Sequence, residues 1–298
     1  MSRDFMNLLD HSTAQLQEML DLAAVLKAER KQGMLRDSLQ GKTLAMIFEK
    51  PSTRTRVSFE VAMRELGGHA IVLQKQDLQL GRGETVADTA QVLSRYVHAI
   101  MLRAHHHTTL EELAEYASVP VINGLTDLHH PCQLMADLLT MQEHCGGITG
   151  KTVAWVGDGN NVCHSWMEAA LKFKFTLRIA TPENFQPRLD YGEVDAHIFC
   201  ATAAEAARDV DVVVTDTWIS MGDDDTLSRR QSFTDLQVND ALMALAKPDA
   251  IFMHCLPAHR GDEVTDAVLD GPQSVVFDEA ENRLHAQKAV LLWCLNQQ

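Results

Sequence analysis

Thr43-Leu44-Ala45-Met46-Ile47-Phe48 and, directly after it, Glu49-Lys50-Pro51-Ser52-Thr53-Arg54-Thr55-Arg56 are the residues on which the fold turns. The first six are a short apolar run of strand length. From Ser52 a helix is expected. Pro51 presets the entry turn, Ser52 can cap it, and Val57, Phe59, Val61, Ala62 and Leu66 follow before Gly67-Gly68 stops it. A strand that feeds a helix, with another strand expected over residues 70–73, opens a βαβ unit, whose strands are parallel.

The same alternation extends outward in both directions. Before it, Ser12 or Thr13 can cap a helix carrying Leu16, Met19, Leu20, Ala23 and Leu26, which ends near Gly33. After it come helix 85–93, strand 98–102, helix 110–117, strand 119–122 and helix 133–143. Gly146-Gly147 punctuates the chain and the alternation restarts. Strand 152–156, helix 165–172, strand 177–180, a helix including 203–207, strands 210–214 and 251–255, and a last short strand at 274–277 are expected. A helix over 282–295 closes the chain. The fold class is therefore α/β, with two doubly wound parallel-sheet domains joined by interdomain helices. Residues 1–135 form the first domain and 136–281 the second, with the terminal helix 282–298 packing back on the first.

With 298 residues, 46% of them hydrophobic and 22% charged, the chain suits two globular domains with sizeable cores. Its formal net charge of −15 disfavours nucleic acid and anionic membrane as partners. An anionic small molecule would need a local cluster of positive groups. Six scattered cysteines without a C-x-x-C pair suggest neither a zinc ribbon nor a thioredoxin-like motif, and suit a reducing compartment. The first ten residues lack the apolar run of a secretory signal, and no stretch approaches membrane-spanning length. The expected location is the cytoplasm.

Four constellations carry chemistry. Ser52-Thr53-Arg54-Thr55-Arg56 stands where a strand ends and a helix begins, so unpaired N–H groups, hydroxyls and a bidentate guanidinium converge there as an anion site. An ordinary capped helix with solvated arginines is the plainer alternative, and five donors in one turn outweigh it. His130-Pro131-Cys132-Gln133 offers an imidazole and a carboxamide for a small polar group, with Cys132 as packing. His254-Cys255-Leu256-Pro257-Ala258-His259-Arg260-Gly261 lies at the carboxyl end of a strand, where ligands of open α/β sheets bind. Cys255 is there a nucleophile, a hydrogen-bonding thiol beside a reacting amine, or an inert buried residue. Asp216-Thr217-Trp218-Ile219-Ser220-Met221-Gly222 follows another strand. Its carboxylate suits an ammonium and its Ser220 region a carboxylate.

Two further patterns carry less weight. Gly157-Asp158-Gly159-Asn160-Asn161-Val162 imitates a dinucleotide fingerprint but lacks the third glycine. His105-His106-His107 is expected as a solvent-facing loop, because three consecutive histidines cannot easily face one ion. No metal ligand set and no cofactor are expected.

In this order, S-T-R-T-R, H-P-C-Q, D-T-W-I-S-M-G, H-C-L-P-A-H-R-G and the closing F-D-E-A-E-N-R-L-H resemble the aspartate/ornithine carbamoyltransferase family, and the two motifs before the last its ornithine-using branch. The resemblance implies transfer of a carbamoyl group from carbamoyl phosphate to the side-chain amine of L-ornithine, giving citrulline and phosphate. It implies that the first domain holds carbamoyl phosphate and the second ornithine. Ser52, Thr53, Arg54 and Thr55 would cradle phosphate, Arg103 and His130 polarise the carbonyl, and Gln133 hold the amide. Gln79 would come from a neighbouring subunit of a homotrimer. Arg283 would be another carbamoyl phosphate contact, and Cys255 and Leu256 would lie where the substrates meet. Asn161, Asp216, Ser220 and Met221 would bind ornithine. Arg54, Arg103, His130 and Cys255 are the catalytic candidates. A carbamoyltransferase for putrescine or a modified ornithine, a dinucleotide-binding oxidoreductase and a non-catalytic homologue are the alternatives.

Overall fold

A computed structural model describes residues 4–77, 83–192, 194–220 and 225–295. The apolar run that opened the reading is strand β1 (Thr43–Phe48), buried along all but its first residue. The chain divides into two compact units, Met1–Ala136 with Asn282–Gln298, and Asp137–Glu281.

The first unit contains α1 (Thr13–Lys31), β1, α2 (Thr53–Glu65), β2 (His69–Gln74), α3 (Val86–Leu93), β3 (Ala99–Arg103), α4 (His107–Tyr116) and β4 (Val121–Leu125). Its sheet runs β2-β1-β3-β4, with every pairing parallel. β1 and β3 read as unbroken apolar runs because helices cover both faces of such a sheet. β2 lies at the edge and is only partly covered. At the opposite edge Phe5 bridges to Ile122, so the amino-terminal segment occupies backbone groups that would otherwise template pairing. Ser12 caps α1 with a reciprocal capping box, its side chain taking Gln15 N–H while Gln15 takes Ser12 N–H.

The chain leaves this unit within α5 (Pro131–Cys145) and returns within α11 (Val276–Leu295). Between them lie β5 (Thr152–Val156), α6 (Asn161–Phe173), β6 (Thr176–Ala180), β7 (His197–Phe199), α7 (Ala203–Ala207), β8 (Val212–Thr215), α8 (Leu227–Phe233), α9 (Asp240–Met243), β9 (Ile251–His254) and α10 (Asp266–Leu269). This sheet runs β7-β6-β5-β8-β9, again all parallel. Ala154, Val156, Val213, Phe252, Phe233 and Trp218 share one buried cluster on it.

One expected strand is corrected. Residues 274–277 are not a strand: Ser274 makes a single bridge to Phe252, and Val276-Phe277 open α11. Asp278 and Glu279 in that first turn complement the positive end of the helix dipole, which overrides the β preference of Val and Phe.

α11 is anchored in the first unit by buried polar contacts. Lys288 Nζ donates to Glu65 Oε2 and Lys27 Nζ donates to Asn282 Oδ1 at 2.8 Å; Glu65 also takes Arg30 Nε of α1 at 3.0 Å, a part-buried contact. Burial pushes the Glu65 carboxyl up, but the Lys288 and Arg30 charges more than offset it and hold it below its ordinary value. Lys288→Met leaves a buried carboxylate with Arg30 alone, and is expected to lower stability by about 3 kcal/mol. Urea denaturation at fixed protein concentration measures this; a loss under about 1 kcal/mol would show the pair to be dispensable.

Candidate active site

In the first unit the site grows from the carboxyl ends of neighbouring strands. β1 ends at Phe48 and Ser52 caps α2, its Oγ accepting Thr55 N–H at 3.3 Å. The first turn of α2 therefore carries Thr53, Arg54 and Thr55, with N–H groups that have no acceptor inside the helix. Thr53 and Arg54 are exposed, whereas Thr55 is buried. Arg103 ends β3, the strand paired with β1, and its Nη1 donates to Thr55 Oγ1 at 3.4 Å. Arg283 of α11 reaches the same Thr55 oxygen through Nη2 at 3.4 Å, and its Nη1 donates to Gln133 Oε1 at 2.6 Å. Ser52, Thr55, Arg103, Gln133 and Arg283 thus form one connected network, with Thr55 joining Ser52, Arg103 and Arg283, and Arg283 joining Gln133.

His130 precedes α5 and is buried. Burial, and then the Arg283, Arg103 and Arg54 guanidiniums, hold its imidazole well below its ordinary value, so it is neutral near pH 7. A neutral ring offers one N–H donor and does not repel the arginines. This is the local positive cluster that an acidic protein needs for an anion.

In the second unit β5, β8 and β9 are neighbours, and their carboxyl ends bring Asn160, Asp216 and Cys255 together. Asn160 caps α6, its Oδ1 accepting Val162 N–H at 2.9 Å and Cys163 N–H at 3.2 Å. Its Nδ2 donates to Asp216 Oδ2 at 2.8 Å. Asp216 Oδ1 accepts Thr217 N–H at 2.8 Å and the Cys255 thiol at 3.1 Å. Burial and then Asp216 push the Cys255 thiol well above its ordinary value. Among the alternatives left open for Cys255, the geometry favours a protonated hydrogen-bond donor over a thiolate nucleophile.

The loop that carries Cys255 and Leu256 is wound around His254 and Glu263. Leu256 N–H donates to His254 Nδ1 at 2.8 Å, so the neutral ring carries its proton on Nε2, facing Glu263 Oε1 at 3.2 Å. Glu263 also accepts His259 N–H. Leu256 sits at φ 57, a left-handed conformation uncommon for a branched residue, and the His254 acceptor helps to hold it there.

Asp216, His254 and Cys255 each offer one donor atom within 4.8 Å of the others, the group among the described residues able to approach a metal ion. Both His254 nitrogens and the thiol are already engaged in the contacts above.

Asn161 opens α6 and is partly buried, as is Ser220. Gln79 and Met221 lie outside the described residues. The histidine triplet is only in part a solvent-facing loop. His106 is exposed, but His107 begins α4, with its N–H on Asp127 Oδ1 at 2.9 Å and its ring on Thr126 Oγ1 at 2.9 Å. Asp127 thereby supplies the cap that His106 cannot. In the fingerprint-like loop, Gly159 is needed for space: a Cβ there would lie 2.3 Å from Pro187 N. Asn160 and Glu263 were not among the candidates; Asn160 meets Asp216 56 positions away, beyond any local pattern, and Glu263 shows its part only once the loop folds it onto His254.

Two family models match the chain in succession. The carbamoyl-P binding domain of aspartate/ornithine carbamoyltransferase matches residues 3–143, and its Asp/Orn binding domain matches 149–294. The chain belongs to this family. It is 59% identical over 299 residues to the ornithine carbamoyltransferase of Nitrobacter winogradskyi, covering 98% of this chain and 97% of that one. It is 59% identical to the Rhodopseudomonas palustris enzyme of the same name, with the same coverage. The solved ornithine carbamoyltransferase of Pyrococcus furiosus superposes with a TM-score of 0.96 at 52% identity, covering 100% of this chain and 98% of that one.

The lowered His130 value has a measurable consequence. Below about pH 6.5, the unfolded chain binds a proton at this position that the folded protein refuses, so stability falls as pH drops from there toward the folded-state value. His130→Gln is expected to reduce that slope by up to one proton, about 1.4 kcal/mol per pH unit. Urea unfolding of both proteins at a series of pH values below neutrality checks this, and parallel curves would contradict it.

Proposed function

We infer that the protein transfers the carbamoyl group of carbamoyl phosphate to the side-chain amine of L-ornithine, giving L-citrulline and phosphate. The observation that carries this is the likeness to ornithine carbamoyltransferases along essentially the whole chain, in both of the family's domains. It does not favour another acceptor or a dinucleotide-dependent oxidation.

The residue roles form part of the proposal. Ser52, Thr53, Arg54 and Thr55 hold the phosphate oxygens, with Arg283 beside them and Gln79 supplied by a neighbouring subunit. Gln133 holds the carbamoyl amide. Attack by the neutral amine turns the carbonyl oxygen into an oxyanion, which Arg103, Thr55 and the His130 N–H stabilise. The carbon–oxygen bond to phosphate then breaks, and Arg54 balances the charge on the leaving group. Asp216 takes the α-ammonium of ornithine, while Asn161, Ser220 and Met221 complete its recognition. Cys255 and Leu256 line the position of the reacting amine. Cys255 remains a thiol, so no covalent enzyme intermediate is invoked. No described helix is long and apolar enough to cross a membrane. A cytoplasmic homotrimer serving arginine metabolism completes the reading, and light scattering should give the mass of three chains.

Citrulline formation with a panel of amine acceptors tests the reaction, and failure with ornithine alongside turnover of another amine would overturn it. The sharper expectation concerns Asp216→Ala. Losing one partner of a desolvated ion pair costs about 3–5 kcal/mol, so ornithine should lose about two to four powers of ten in kcat/KM relative to 5-aminopentanoate, which keeps the carboxylate but has no α-ammonium for Asp216 to hold. An unchanged ratio, with the fold verified by thermal melting, would remove Asp216 from the amino-acid site.

A further inference from the structure

Gln287 lies on α11 one turn beyond Arg283 and is fully buried. A fully buried carboxamide must place both its oxygen and its nitrogen. Oriented to suit its neighbours, its oxygen accepts from Arg283 Nε at 3.2 Å and Nη2 at 2.8 Å, and its nitrogen donates to Ser58 Oγ. Ser58 in turn donates to the Arg54 carbonyl at 2.7 Å, within the helix turn that carries S-T-R-T-R. The Arg283 guanidinium is thus held along its Nε–Nη2 edge by Gln287 and at Nη1 by Gln133, with Thr55 Oγ1 also on Nη2.

A guanidinium recognises an anion through a planar fork, so what fixes its plane decides where the fork points. We propose that Gln287 is a positioning residue for the carbamoyl phosphate site, setting the plane of Arg283 and tying it through Ser58 to the first turn of α2. The inference rests on the assignment of Arg283 as a carbamoyl phosphate contact. A neutral acceptor suits this task, because it orients the guanidinium without neutralising it. A carboxylate at the same place would orient it too, but would spend its charge on an internal ion pair.

The test is a double-mutant cycle on the full-length enzyme with Gln287→Met, Arg283→Met and the double variant, together with Gln287→Glu. Readouts are KM for carbamoyl phosphate and ornithine, Ki for inorganic phosphate, and thermal melts. Gln287→Met should raise KM for carbamoyl phosphate and Ki for phosphate about tenfold, roughly the loss of one charge-assisted contact, while KM for ornithine stays within about twofold. Gln287→Glu should weaken phosphate at least as much while melting no lower than Gln287→Met. The double variant should resemble Arg283→Met alone, because both changes remove one device. A strong effect of Arg283→Met with none of Gln287→Met, additive effects, or equal losses for both substrates would overturn the role of Gln287 and leave the site assignment standing. No effect of Arg283→Met would instead overturn the assignment itself, and the inference with it.

Discussion

In a parallel sheet wound with helices, every strand's carboxyl end passes into a helix at the same edge, and a helix cannot satisfy its own first N–H groups. The proposed site draws most of its groups from that end of the sheet in each unit. The first unit places there the end of β1, the start of α2, Arg103 from the end of β3, and His130 before α5. The second places there the cap of α6, Asp216 after β8 and Cys255 after β9. A chain with a net charge of −15 repels anions at long range, so the proposed anion site would depend on donors gathered within one turn and on arginines borrowed from other elements.

The groups at both sites share a second feature, which is neutrality under pressure. Burial first, and then three guanidiniums, hold the His130 imidazole below its ordinary value, while burial first, and then Asp216, push the Cys255 thiol up. In the proposed mechanism each therefore acts as a hydrogen-bond donor rather than as a titrating base or a nucleophile. For a reaction whose attacking group is an amine with an ordinary pKa near 10.4, the proton that matters is then the amine's own. Positioning and oxyanion stabilisation supply the remaining rate acceleration.

How much of this was legible in the sequence follows from the range of the interactions. β1 and β5 were read at their full extent, because buried parallel strands are uninterrupted apolar runs. β7 was not, since His197-Ile198-Phe199 is a three-residue, largely exposed edge. α8, α9 and α10 escaped too; Thr226, Asn239 and Thr265 cap them, but four to seven residues are too few to display a helical period. S-T-R-T-R was legible as a site because its donors are contiguous. Asn160 was hidden in a stretch that imitates a dinucleotide fingerprint, and its significance lies in one bond to Asp216. Gln287 looks in sequence like an ordinary polar position on a helix, and only the fold brings Ser58 to it.

The central claim is that the amino end of α2 recognises phosphate, with Arg54 holding the charge that develops on it. It is tested most directly by titrating Arg54→Ala and the parent protein with carbamoyl phosphate in single-turnover experiments, with ornithine saturating and folding verified by circular dichroism. The account predicts a chemical step slowed by about 10²–10⁴ even when carbamoyl phosphate saturates, the loss of a charge-assisted contact that tightens in the transition state. A variant whose chemical step runs at the parent's rate would contradict it.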